Sequence, residues 1–416
     1  MIRGLRSAGA WLVALAPVPL AAQVGAVVPQ TAVSYTITLV PSDTGTHLLA
    51  EVETGWRLRT VNPVEVNLDT AFRVVRVLVD GKPNTRLSRT MYARPVGQVI
   101  VPHEKAPGDT LTTRLRYHGL ARGGVHLGPG RAGARALAGE TAGDEASPWL
   151  PLPADPARAR VTVVWNVQAD TGQRVAANGT FTGVDTLNYG HTTWHYRLDA
   201  PVPLDRLAVA AGRYAVTTIP HAACRGPCVP VNLWTVPGDS AAAAAAFRRA
   251  GDVLDFMVAR LGPYPYPGLA HVAVPLAPAG RPGASIVLYD ETRVRGVTEA
   301  DIARATAAQW LGNAVSDSGA AGDRPAEAAA AYVALLWPGG TAPRGPAPDA
   351  TVLARGVEAI RRLHRAVGDS AFFRGLRRYI QENRNLTVAP AALERAMAEA
   401  AGKPLDWSWR AAVGSR

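Results

Sequence analysis

Few side chains in this sequence stand at spacings that could do chemistry. His191 and His195 have the four-residue separation at which two helical imidazoles could share a metal ion. Their segment, His191-Thr192-Thr193-Trp194-His195-Tyr196, has strand character instead. On a strand the two rings share a face roughly 13 Å apart, too far for one metal, so ordinary sheet histidines are expected. His103-Glu104 opens like H-E-x-x-H, but the pattern ends in Pro107 and lacks a second histidine. Cys224 and Cys228 bracket the tight turn Arg225-Gly226-Pro227. Two thiols with His221 nearby fall short of four zinc ligands, so a small disulfide loop formed in an oxidising compartment is expected. The sequence has no G-x-S-x-G nucleophile elbow and no glycine-rich phosphate loop.

The elements that would position any site divide into two kinds. From Val33 to about Tyr214 the pattern is β. Ser34 to Leu39 alternates polar and apolar residues, as does the second half of Leu111 to Tyr117. Val74 to Val79 runs into Asp80-Gly81, a tight-turn pair. These short punctuated strands predict an antiparallel sandwich or saddle-like sheet. Gly123 to Glu145, rich in Gly and Ala without a clear period, reads as a long loop. Ser240 to Arg260 then reads as one helix stopped by Gly262-Pro263, followed by short strands over Ala270 to Pro275 and Ala284 to Tyr289. After Thr298 the pattern is helical throughout. Thr298 and Asp301 have the spacing of a capping box, Pro325 stands where a helix can start, and Gly339-Gly340 follows its end. Further helices are expected from about Asp349, Asp369 and Ala391. The plan is α+β.

The 416 residues suffice for two domains with cores. Hydrophobic content of 48% and a mean hydropathy of +0.02 describe a globular chain. Residues 1–22 read as a secretory signal: Arg3 and Arg6 in front, an apolar run from Ala8 to Leu20, and Ala21-Ala22 before Gln23. The run is short and broken by Pro17 and Pro19, which disfavours the alternative of an uncleaved anchor. Export to a periplasm, an envelope or the medium is therefore expected, with no later transmembrane span. The net charge of +11 is carried by arginines scattered along the chain, with only Lys82, Lys105 and Lys403 as lysines. No basic stripe with interleaved aromatics appears, so no nucleic-acid partner is expected.

Landmarks in order make the chain resemble the zinc aminopeptidases of the alanyl-aminopeptidase type, which are gluzincins. They are Trp149-Leu150-Pro151, Ala177-Asn178-Gly179, Ala211-Gly212-Arg213-Tyr214, Gly262-Pro263-Tyr264-Pro265-Tyr266-Pro267, Gly368 to Phe373 with Tyr379, and Leu405-Asp406-Trp407. The resemblance implies an N-terminal antiparallel β saddle or sandwich domain over 23–220. A thermolysin-like, mostly helical domain would follow over 221–416. No counterpart of the family's C-terminal helical domain is expected.

In that family H-E-x-x-H places two zinc ligands and a general base on one helix, and a glutamate on the next helix is the third ligand. Registering the chain on Gln309-Trp310-Leu311-Gly312-Asn313 puts the first histidine at Arg304, the base at Ala305 and the second histidine at Ala308. Leaving the family's eighteen residues between puts the third ligand at Glu327 and a family aromatic at Tyr332. The family's amine-binding glutamate falls at Pro282, give or take one residue. Its oxyanion-stabilising tyrosine, two residues before a Lys-Gly pair, falls at Leu353, before Arg355-Gly356.

No catalytic residue is therefore expected, and no metal or other cofactor. Glu327, Gln309, Trp310, Asn313 and Tyr332 would mark a vestigial cleft. Either Arg304 replaces the metal as countercharge in an Arg304–Glu327 ion pair, or Arg304 points to solvent and Glu327 is hydrated on its own. The alanines around 305–308 and 328–331 either pack the helices tightly or leave an apolar groove. The resulting expectation is a non-catalytic aminopeptidase-like protein that binds peptides or a partner protein. The alternative is an active zinc metallopeptidase whose ligands lie elsewhere.

Overall fold

The computed structural model describes residues 30–43, 45–86, 88–91, 96–131, 133–142, 148–186, 190–222, 228–276, 282–318, 324–338 and 348–414. The proposed signal (1–22), Gly339-Gly340 and Cys224 lie outside them. Cys228 is disulfide-bonded, and Cys224 is the only other cysteine in the sequence.

The largest sheet has eight strands in the order Thr180–Thr186, His191–Pro203, Arg160–Asp170, Gln30–Pro41, His47–Leu58, Thr110–Leu120, Phe72–Val79 and Lys82–Pro83. All neighbours pair antiparallel except Gln30–Pro41 with Arg160–Asp170, which are parallel. Alternation along Thr110–Leu120 buries Leu111, Thr113, Leu115, Tyr117 and Gly119 and exposes the residues between, as a sheet with one covered face requires. Trp56, Tyr35, Ile37, Tyr117 and Trp165 fill that covered face. The Asp80-Gly81 turn closes the last hairpin with both residues at positive φ, +47° and +76°, the geometry that selects this pair.

The second part opens with a four-stranded sheet, in order Ala215–Ile219, Val231–Thr235, Leu269–Val274 and Ile286–Asp290. Its helices are α1 (Ser240–Ala246), α2 (Ala250–Leu261), α3 (Glu299–Ala307), α4 (Pro325–Leu335), α5 (Pro348–Val367), α6 (Asp369–Glu382), α7 (Ala391–Ala401) and α8 (Trp409–Val413). The α+β class, sheet-rich first and helical after, is as expected. No helix among the described residues is long and apolar enough to cross a membrane.

Three local expectations need correction. Gly123 to Glu145 is not a long loop, because Val125–Pro129 and Arg135–Glu140 pair as an antiparallel hairpin. Arg135–Glu140 is buried on both faces after its first residue, so its small residues carry no two-residue period. Ser240 to Arg260 is two helices, not one. Phe247 ends α1 and sets its ring against His271 and Tyr289 at 5.1 and 5.2 Å, and this packing overrides the helix propensity of the alanines before it. The region after Thr298 also contains strands, since Val315–Asp317 pairs in parallel with Leu386–Val388. Three residues are too few to show a period.

Candidate functional site

Two helices deliver the positions that matter. Thr298 Oγ1 accepts from the Asp301 amide at 3.2 Å while Asp301 Oδ2 accepts from the Thr298 amide at 3.1 Å. This reciprocal cap starts α3. The helix carries Arg304 and Ala305 and ends with Ala308 as its C-cap. Pro325 stands in the first turn of α4, where its missing N–H costs nothing. Asp317 accepts from the Ala326 amide at 3.0 Å, holding that end of the helix against Val315–Asp317.

Between them is a cavity of about 210 Å³. α3 and the turn after it contribute Arg304, Ala308, Gly312 and Asn313, and α4 contributes Glu327, Ala328 and Ala331. Val352, Leu353 and Gly356 come from α5 and Trp409 from α8; Pro282 and the two cations Arg206 and Arg324 complete the lining. A Cβ on Gly356 would lie 2.9 Å from Ala328 Cβ and 3.0 Å from the Trp409 ring, so glycine allows α4, α5 and α8 to close this wall. Arg206, Gly312, Arg324 and Glu327 also line a neighbouring cavity of about 330 Å³, together with Asp155, Asp205 and Asp317.

The expected Arg304–Glu327 pair does not form. Arg304 Nη2 donates to Asp301 Oδ1 at 2.7 Å, one turn back on its own helix. Glu327 Oε1 accepts instead from Arg206 Nη2 at 2.8 Å, and Arg324 Nη1 lies 3.5 Å from its Oε2. Geometry explains the exchange. Asp301, at i−3, is a neighbour of Arg304 on the same helix face, whereas Arg206 reaches Glu327 from the buried turn Leu204–Arg206. Burial works against the Arg206 charge, but Asp205 and Glu327 outweigh it and hold its pKa above the ordinary arginine value. The sequence signal for this residue was weak, since Arg206 is one of many scattered arginines. Only the family register points to Glu327, and nothing in it pointed back to Arg206.

The proposed cleft residues divide. Glu327 and Asn313 are on the cavity wall, as are Arg304, Ala308, Leu353 and Pro282. Gln309, Trp310, Tyr332 and Ala305 are not among the lining residues. Gln309 is buried and builds the loop beside the cavity: its Oε1 accepts from the Ser285 amide at 2.8 Å and its Nε2 donates to Gly283 O at 3.0 Å. Trp310 Nε1 donates to Pro263 O at 2.9 Å, tying the end of α3 to the Gly-Pro-Tyr-Pro turn. Tyr332 turns to His364, with its hydroxyl 2.8 Å from Nδ1. Desolvation raises its pKa, against the pull of Arg361 and Arg365. These three are polar and aromatic side chains whose hydrogen bonds are met inside the core, which is why they left the cleft.

Elsewhere, His195 contacts Asn166 Oδ1 at 2.7 Å and Asp185 Oδ2 at 3.0 Å, and His191 lies 3.3 Å from Asp43 and 3.5 Å from Asp170. His103 Nε2 is 2.8 Å from Asn62 O.

With this geometry in place, the chain can be set beside known proteins. No protein-family model and no curated protein matches the sequence. Solved structures do match. A two-domain M1 zinc metallopeptidase, a glutamate-to-alanine mutant bound to L-tryptophan, superposes with a TM-score of 0.73 at 21% identity over 93% of this chain and 95% of that one. The M1 zinc metallopeptidase of Deinococcus radiodurans gives 0.71 at 22% identity over 93% and 94%. A mutant of the same enzyme bound to a Tyr-Ser-Ala substrate gives 0.71 at 22% over 93% and 95%. The fold is theirs.

The residues on this chain's cavity wall do not fit a zinc ion. Catalytic zinc takes three protein ligands from His, Asp, Glu or Cys, and the wall offers only Glu327, already bonded to Arg206. Among the described residues no group of three or more His, Cys, Asp or Glu could hold a metal ion.

Proposed function

We propose that this is an exported, non-catalytic protein built on the two-domain M1 metallopeptidase fold, which binds a peptide or a partner protein in place of cleaving one. The observation that carries the reading is the Arg206–Glu327 hydrogen bond, with a guanidinium where a metal's charge would be needed. Arg304, Ala308, Ala305, Leu353 and Pro282 supply neither ligand, base, oxyanion donor nor amine anchor. Export is supported by the basic and apolar start of the sequence and by the disulfide at Cys228. Division into units over 23–220 and 221–416 belongs to the same reading, as does the lack of a nucleic-acid partner.

The second reading, an active zinc aminopeptidase with other ligands, is favoured by one observation: the superposing structures are zinc metallopeptidases. Metal analysis of the purified mature protein, with hydrolysis of aminoacyl p-nitroanilides, separates the two. The expected result is substoichiometric zinc and no chelator-sensitive turnover. Stoichiometric zinc with turnover abolished by chelation overturns the proposal.

A further inference from the structure

We propose that the outer face of the large sheet, where Phe72–Val79 pairs with Thr110–Leu120, docks on an anionic lipid surface. The inference does not depend on whether the cavity is catalytic.

Arginines scattered in the sequence converge on this face. The antiparallel register sets Arg76 opposite Arg116 and Arg73 opposite His118, and all four are exposed. Opposed residues lie about 5 Å apart, and the two pairs are separated by about 7 Å along Thr110–Leu120. Like charges in opposed positions weaken a sheet, and nothing inside the protein relieves them. Among the described residues no hydrogen bond or ion pair reaches the side chains of Arg73, Arg76 or Arg116. Glu51 stands opposite Arg116 on the next strand, but its carboxylate lies 3.8 Å from Arg114, which also donates to Glu53 at 2.8 Å. Lys82–Pro83 covers only Leu78 and Val79, so Arg73 and Arg76 stand on an open sheet edge, where charge discourages edge-to-edge pairing. That role does not extend to Arg116, which is one strand further in.

Apolar side chains share the face. The ladder shifts register between Val74 and Arg76, a bulge that leaves Val75 beside Arg76 and 51% exposed. Leu120 continues the outward set of Arg116 and His118 and is 48% exposed. Guanidiniums without internal partners, interleaved with exposed aliphatic groups on a sheet face, match a bilayer surface. Lipid phosphates accept from the arginines, while Val75 and Leu120 enter the headgroup region. The net charge of +11 adds a long-range pull towards such a surface. An acidic polypeptide or a nucleic acid would use the cations and leave the aliphatic groups in water.

The test is co-sedimentation of the full-length mature protein with vesicles of phosphatidylcholine alone and of equimolar phosphatidylcholine and phosphatidylglycerol. Binding is expected to the mixed vesicles only, and to fall as salt rises. The triple variant Arg73→Gln, Arg76→Gln, Arg116→Gln should weaken it about fivefold per cation, about a hundredfold in all. A control with the same change in net charge, Arg174→Gln, Arg213→Gln, Arg395→Gln, removes exposed arginines on other elements and should weaken it less than about threefold. Since no internal partner is lost, the first triple variant should also unfold no earlier than the parent. If that variant does not fold, Arg116→Gln alone carries the test, with about a fivefold loss expected. No binding to the mixed vesicles, equal losses in the two triple variants, or a patch variant less stable than the parent overturns the proposal. Tighter binding to poly-L-glutamate or double-stranded DNA than to the mixed vesicles at equal anionic charge overturns it in favour of an acidic macromolecule.

Discussion

Arg206 and Glu327, 121 positions apart in the chain, meet at 2.8 Å and join the turn Leu204–Arg206 to the first turn of α4. Arg206 is 7% exposed at its side chain and Glu327 29%, so the pair is half in and half out of solvent. Removing the cation takes from Asp205 and Glu327 the guanidinium they share, at 3.6 and 2.8 Å. Arg206→Met is expected to lower unfolding free energy by on the order of 3 kcal/mol, at the low end for a broken buried pair because Glu327 is partly solvated. Adding Glu327→Gln should return part of that loss, since neighbouring sites are non-additive. Urea denaturation of the two single variants and the double variant measures both numbers. Strictly additive losses would sink the pairing.

Arg160 performs a different task at the junction between the large sheet and the helical part. Its guanidinium donates to Asn313 O at 2.6 Å, Ser316 Oγ at 2.8 Å, Pro201 O at 2.9 Å, Ala314 O at 3.0 Å and Leu386 O at 3.1 Å. Burial lowers its pKa to about 10, with Tyr266 and Asp205 opposing, which leaves it charged at neutral pH. Four backbone carbonyls thus depend on one fork. Arg160→Lys offers a single ammonium in its place and is expected to cost nearly as much as Arg160→Ala, on the order of 3 kcal/mol for acceptors left unmet. Thermal and urea unfolding of both variants checks this. A lysine variant as stable as the parent would show that charge alone suffices.

Much of this arrangement was legible in the sequence, for identifiable reasons. Strands with one covered face, such as Thr110–Leu120, declare themselves by alternation. The Thr298/Asp301 cap and Pro325 mark the starts of α3 and α4 by local chemistry alone. Arg135–Glu140 was not legible because both its faces are covered, and the break at Phe247 was not because its cause lies on other strands, at His271 and Tyr289. The cavity wall was half legible. Register placed Glu327, Arg304, Ala308 and Leu353, since helical positions follow from spacing. It could not choose among arginines for the partner of Glu327, because Arg206 reaches it through tertiary contact.

His271 makes stability depend on pH in a predictable direction. It is fully buried in the strand Leu269–Val274, with Nδ1 3.0 Å from the Tyr289 hydroxyl, and burial lowers its pKa to about 3. The folded value is below the unfolded one, near 6.5. The unfolded chain therefore binds the extra proton first, and stability falls as pH drops from about 6.5 towards 3. Between pH 7 and pH 4 this group should cost about 3 kcal/mol. His271→Gln cannot titrate there and is expected to lose that much less over the same interval. Urea titrations of parent and variant at both pH values decide it, and parallel losses would assign the acid sensitivity to other groups.

The sharpest test asks the wall to take the metal it does not fit. Arg304 and Ala308 are one helical turn apart, the spacing at which two imidazoles reach a single ion. Arg304→His with Ala308→His would therefore supply two ligands facing Glu327. The third would still be bonded to Arg206 at 2.8 Å, and the guanidinium would have to share the site with a divalent cation. The double-histidine variant is expected to hold zinc weakly. Replacing Arg206 by Met in that background should tighten zinc by about tenfold or more, the scale on which neighbours of metal ligands act. Equilibrium dialysis with metal analysis reads both affinities, and retained circular dichroism certifies the fold. If the double-histidine variant bound zinc equally well with Arg206 in place, the guanidinium would not be what keeps metal from this cavity, and the loss of the two histidines would account for it alone.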